Sequence, residues 1–107
     1  MESAPTGFAV LYRWRLKHGM EEQFCAAWSR ISEILLAHGS HGARLHRSVE
    51  DVWYAYAQWP DAQTRERATE FTEHLPECAM MREAIADSMP PILLEPVIDH
   101  LVKCGER

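Results

Sequence analysis

Residues 8–24 read FAVLYRWRLKHGMEEQF, a strand, a glycine turn and the start of a long helix. The even positions, Phe8, Val10, Tyr12, Trp14 and Leu16, are all apolar or aromatic. The odd positions, Ala9, Leu11, Arg13, Arg15 and Lys17, begin apolar and turn basic. A strand sends alternate side chains to opposite faces, so this one has a wholly apolar face and a half-apolar face. Gly19 provides the turn, and the spacing predicts a helix over 20–38. Met20, Phe24, Ala27, Trp28, Ile31, Ile34 and Leu35 recur at the i, i+3, i+4, i+7 spacing of one buried stripe. Glu21 and Glu22 suit the positive end of the helix dipole, and Gly39 suits its C-terminal stop.

Outward from there, Gly39-Ser40-His41-Gly42 reads as a loop and 43–49 (ARLHRSV) as a second strand. Glu50-Asp51 is a short turn into 52–59 (VWYAYAQW), an aromatic-rich third strand, which makes an antiparallel hairpin. Pro60 ends it, and Asp61 is placed to cap a second helical region. Pro76 should break that region into pieces at about 61–74 and 77–88. Pro90-Pro91 then forbids continuation, leaving 92–102 (ILLEPVIDHLV) as the expected last strand, with Pro96 at a bulge or edge. The order β-α-β-β-α-β predicts an α+β, ferredoxin-like plait, a four-stranded antiparallel sheet with its helices on one face. One domain should span 8–102, between a loose N-terminal tail at 1–7 and a C-terminal tail at 103–107.

Helices cover only one sheet face. The other still carries Ala9, Leu11 and one side of the third strand, either Trp53, Ala55, Ala57 and Trp59 or Val52, Tyr54, Tyr56 and Gln58. Neither set suits water, and an uncovered apolar face of this size usually marks an interface. A twofold homodimer, sheet against sheet, is the simplest closure. Arg13 and Arg15, paired with Glu95 or Asp99, are candidates for its salt bridges.

Composition narrows the partners. The net charge is −5 and the only lysines are Lys17 and Lys103, a poor footprint for nucleic acid or an anionic membrane surface. No apolar run approaches the roughly 18 residues of a membrane span, and the N-terminal MESAPTG predicts no signal peptide. Cys25, Cys78 and Cys104 are widely spaced, which fits reduced thiols in the cytoplasm.

Three strings, V-x-Y-R-W-R-L-K-H-G-x-E-E-x-F, S-H-G-A-R-L-H-R and W-Y-A-Y-A-Q-W-P-D, resemble the antibiotic biosynthesis monooxygenase-like (ABM) family of dimeric α+β barrels, over about residues 8–102. That resemblance implies a pocket between helices and sheet, sheet-to-sheet dimers, and either cofactor-independent oxygenation of quinols and anthrones or haem degradation. Haem-degrading members use an Asn on the first strand with a Trp and a His on the second helical region, and the anthrone oxygenases also rely on an Asn. This chain has no asparagine, Tyr12 takes the strand position of that Asn, and the second helical region has no Trp. Haem degradation is thereby disfavoured. The function implied is a cofactor-independent monooxygenase acting on a small aromatic or quinol-type substrate. The alternative is a non-catalytic dimeric barrel that binds a small hydrophobic ligand or a protein partner.

Tyr12, Trp14, Trp28 and Phe71 are candidates to line a flat aromatic pocket, with plain hydrophobic core as the competing reading. A cofactor-free oxygenase must help remove a substrate proton and stabilise the resulting anion. Tyr12, His74 and His46 are the catalytic candidates. Glu70 and His74, one helical turn apart, are either an oriented acid–base pair or an ordinary surface pair. His38, His41 and His46 match no defined metal spacing, so no metal is expected, nor any cofactor. His100, on the expected last strand, is read as a solvated or hydrogen-bonded residue. Cys25 has no partner pattern for a catalytic thiol.

Overall fold

The computed structural model describes residues 7–102, so the expected tails lie outside the described residues apart from Gly7, whose N–H donates to the Trp59 carbonyl. In chain order the elements are β1 (Phe8–Leu16), α1 (Glu21–Ala37), β2 (Ala43–Arg47), β3 (Trp53–Trp59), α2 (Ala62–Thr72), α3 (Pro76–Ala84) and β4 (Ile85–Leu94). The sheet runs β2-β3-β1-β4 and every pairing in it is antiparallel. This is the expected ferredoxin-like plait, with the second helical region split in two.

β1 holds the centre. Its even face carries Val10 and Trp14, both buried, with Tyr12 half-buried between them. β3 alternates strictly, with Trp53, Ala55, Ala57 and Trp59 buried and Tyr54, Tyr56 and Gln58 half-buried. The register sets Tyr12 opposite Ala55 and Trp14 opposite Trp53, so the two apolar sets share one face. The helices cover that face. Phe24 from α1 and Ala84 from α3 pack with Trp14, Trp53 and Ala55, while Ala68 from α2 packs with Val10, Ala57 and Trp59. Gln23 ties α1 to α3 by donating to the Glu83 carboxylate at 2.7 Å and the Met80 carbonyl at 3.1 Å.

Local chemistry sets the boundaries. Gly19 turns β1 into α1 with a positive φ of 85°. β2 stops at Arg47, two residues before the expected end, because Ser48 takes over the turn. Its Oγ accepts from the Glu50 and Val52 N–H groups, and Asp51 enters the left-handed region at φ 66°. Asp61 caps α2 as expected, its Oδ1 accepting from the Thr64 N–H at 2.7 Å. Pro76 opens α3 at its first position, which needs no N–H.

The last strand departs from expectation. α3 ends at Ala84 rather than near 88, and β4 begins at Ile85 with no intervening loop. It ends at Leu94, and residues 95–102 form no strand. Pro90 and Pro91 lie inside it instead of excluding it. They sit where the pairing with β1 slips, between Leu11↔Ile92 and Arg13↔Met89, on an edge strand that can do without their N–H groups. Pro90 still contributes, since its carbonyl accepts from Arg13 Nη2 at 3.2 Å.

Candidate functional site

On the helix side of the sheet, Tyr12 and Trp14 lie flat against each other. Their rings are 5.7 Å apart between centroids and 2° from parallel. Residues two apart on a strand point the same way, so the sheet pleat makes this stack. Trp14 is held from the side by the edge of Phe24 at 5.1 Å, and Phe24 in turn meets Trp53 at 6.3 Å. Trp28, from α1, is half-buried against the same cluster. Tyr12 packs against both clusters and so stands at their junction.

Arg65 completes this corner. It lies in the first turns of α2, and Ala68 and Thr72, three and seven residues on, are the buried positions of that helix. Arg65 therefore starts the stripe that faces the sheet. Its Nε and Nη2 both donate to the Tyr12 hydroxyl, at 3.2 and 3.1 Å, and its guanidinium carbon stands 5.7 Å from the Tyr12 ring centroid. Arg65 is not among the candidates the sequence singles out, and its three-residue spacing to Ala68 is the signal for its facing.

Phe71 is 49% exposed and stacks on His38 at 4.2 Å, at the C-terminal end of α1. His74 falls just beyond α2 in the link to α3, with an 82% exposed side chain 3.7 Å from the Glu73 carboxylate rather than from Glu70. His46 is exposed on β2, opposite Tyr54, on the face away from the helices. The three catalytic candidates thus occupy three different regions. Burial pushes the Cys25 thiol up, with the Glu21 charge adding to it, which opposes thiolate chemistry. No cluster of three or more His, Cys, Asp or Glu side chains placed to hold a metal occurs among the described residues.

The opposite face carries two cavities. One of about 450 Å3 is lined by Ala9, Tyr56 and Gln58 from the sheet and by the segment from Leu94 to Leu101. A neighbouring one of about 300 Å3 adds Arg44 and His46 from β2. His100 borders the larger cavity from this irregular segment, not from a strand. The segment leaves Val97, Ile98, Leu101 and Val102 largely exposed. Arg13 and Arg15, on this side of β1, bond within the chain to the carbonyls of Pro90 and Glu50.

No protein-family model matches the sequence, and no curated protein matches it. Solved structures do match. A Chloroflexus aurantiacus protein named for antibiotic biosynthesis monooxygenases superposes with a TM-score of 0.75 at 13% identity, over 90% of this chain and 98% of that one. Rv0793 from Mycobacterium tuberculosis gives 0.75 at 13% identity, over 90% and 100%. SnoaB, a cofactor-independent oxygenase from Streptomyces nogalater, gives 0.70 at 18% identity, over 95% and 100%. The likeness is one of fold, and it is the fold that the sequence resemblance implies.

Proposed function

We propose that the protein is a cofactor-independent monooxygenase of small aromatic or quinol-type compounds, bound on the helix side of the sheet against Tyr12, Trp14 and Trp28, with Phe71 at the rim. The parallel Tyr12–Trp14 pair carries this reading. It sets aromatic surface beside a polar end, where a planar ring packed against Tyr12 can bring its oxygen to the Tyr12 hydroxyl and Arg65. The fold shared with SnoaB supports it.

On this reading the protein supplies position and electrostatics. An electron-rich substrate loses a proton, and the resulting anion reduces dioxygen directly. For an anthrone-type methylene, one oxygen atom becomes the new carbonyl, and the other leaves as water with the two methylene hydrogens. The protein's part is to accept the first proton and steady the anion. Tyr12 is the candidate placed for the second task. His74 is the candidate for the first, reaching substrate only if the link between α2 and α3 moves, whereas His46 stands on the other face of the sheet. The working unit is a homodimer closed through the sheet faces opposite the helices. No helix among the described residues is long and apolar enough to cross a membrane, and the free thiols of Cys25 and Cys78 fit a cytoplasmic protein.

Oxygen-electrode assays with menadiol and anthrone test the proposal. Consumption above the uncatalysed rate, lowered at least tenfold by Tyr12→Phe, is the expected result. Consumption at the uncatalysed rate, unchanged by Tyr12→Phe and His74→Ala, would leave a second reading: a dimeric barrel that binds a hydrophobic ligand or protein partner without chemistry. The two cavities against Tyr56 and Gln58 favour that alternative.

A further inference from the structure

Arg65 is a cation held partly out of water with no carboxylate within ion-pair distance among the described residues. Its two directed N–H groups go to a neutral phenol oxygen instead. A guanidinium withdrawn from solvent is ordinarily matched by an anion, because an unmatched buried charge is costly. Here the match is missing and the alignment is retained.

Hydrogen-bond accounting at the same corner points the same way. The Tyr12 oxygen accepts from Arg65, which leaves its own O–H to donate, and no acceptor for it occurs among the described residues. The directed polar groups at this corner are thus N–H and O–H donors. A site of this kind suits a ligand that brings lone pairs and negative charge together. A guanidinium meets oxyanions with strong, charge-assisted bonds.

We propose that Arg65 is the specificity-determining residue of this corner and, with Tyr12, makes it a receptor for the ionised oxygen of a planar ligand, a phenolate or enolate, in preference to the neutral aromatic. This rests on the reading of the helix side of the sheet as the ligand site, but it requires no oxygen chemistry. Arg65 acts by stabilising the anion, so the ligand should ionise more readily when bound than when free.

The probe is 2-naphthol, whose neutral and ionised forms differ in absorption, with naphthalene as the apolar control. The wild-type protein should bind naphtholate about tenfold more tightly than naphthol, seen as a drop of about one unit in the ionisation pH of the bound probe. Arg65→Met should abolish that preference. Arg65→Lys should keep part of it, and Tyr12→Phe should lose part. Circular dichroism checks the fold of each variant, and if Arg65→Met does not fold, the Lys and Phe variants decide. Equal binding of both forms by the wild type, or a preference that survives Arg65→Met, overturns the proposal. Naphtholate preference without oxygen uptake from menadiol or anthrone upholds it and defeats the catalytic reading alone. Failure to bind either naphthalene or naphthol defeats both.

Discussion

A β-carbon placed on Gly39 would come within 2.5 Å of Cγ2 of Thr64. Gly39 also sits at a φ of 106°, a conformation that side chains resist. The end of α1 therefore touches the first turn of α2 at a point where only glycine fits. Gly39→Ala should cost about 2–4 kcal/mol, from backbone strain and the clash together. Thr64→Ser removes Cγ2, so the double variant should recover the steric share and keep a deficit of about 1–2 kcal/mol from the backbone. Urea denaturation of the four proteins measures both. A Gly39→Ala midpoint equal to wild type would show that the two helices do not meet this closely.

Phe24 is fully buried and turns its ring toward both Trp14 and Trp53. Phe24→Ala should destabilise the fold by about 3–5 kcal/mol, the range for emptying a large aromatic site. Phe24→Leu keeps most of the volume and should cost about 1–1.5 kcal/mol. Denaturation followed by tryptophan fluorescence reads the change at the residues concerned.

Asp61 gives a pH signature. Its carboxyl is held below the usual carboxylate range, first by the Thr64 backbone N–H and then by the Thr64 side chain. A depressed folded-state pKa means that the charged form is favoured by folding. The stabilisation is thus present above the ordinary Asp pKa and fades as pH falls through the lowered one. Asp61→Asn can still accept from the Thr64 N–H but does not titrate. Its melting temperature should lose less than the wild type's on acidification from neutral pH to pH 3, and thermal melts across that range check it. Parallel curves would remove Asp61 from the acid response.

The face opposite the helices makes a prediction about assembly. Leu11 and Tyr56 are directly paired across β1 and β3 on that side, beside the fully covered Ala9. If two copies close there, Tyr56→Glu buries two carboxylates in an apolar contact. Sedimentation should show a dimer for the wild type at micromolar concentration and a monomer for Tyr56→Glu. A wild-type monomer would sink the sheet-to-sheet arrangement.

Much of this fold is legible in residue spacing. The alternation in β1 and β3, the stripe on α1 and the Asp61 cap are local signals with local causes, and each element formed where its signal stood. The last strand was misplaced because its governing fact is not local. Pro90-Pro91 reads as a barrier unless one knows that β4 is an edge and that its register slips beside Leu11 and Arg13. The apolar run beyond it, with Val97, Ile98 and Leu101, drew the strand toward residues that pair with nothing in this sheet. The site divided in the same way. The helix-side positions of Tyr12, Trp14 and Trp28 follow from strand and helix phase. Arg65 was missed because a charged residue carries no hydrophobic signal, and its partner lies 53 positions away.

The junction at Ala84–Ile85 leaves α3 and β4 without slack. One residue added there must either rotate α3 by about 100° or slide the strand by one place and exchange its two faces. Ala84, which is fully buried, and the Lys17 N–H bond to its carbonyl pin the spot from both sides. The helix's angular phase and the strand's facing are therefore one variable, and this joint should reject single insertions and deletions that the Ser48–Val52 turn would absorb.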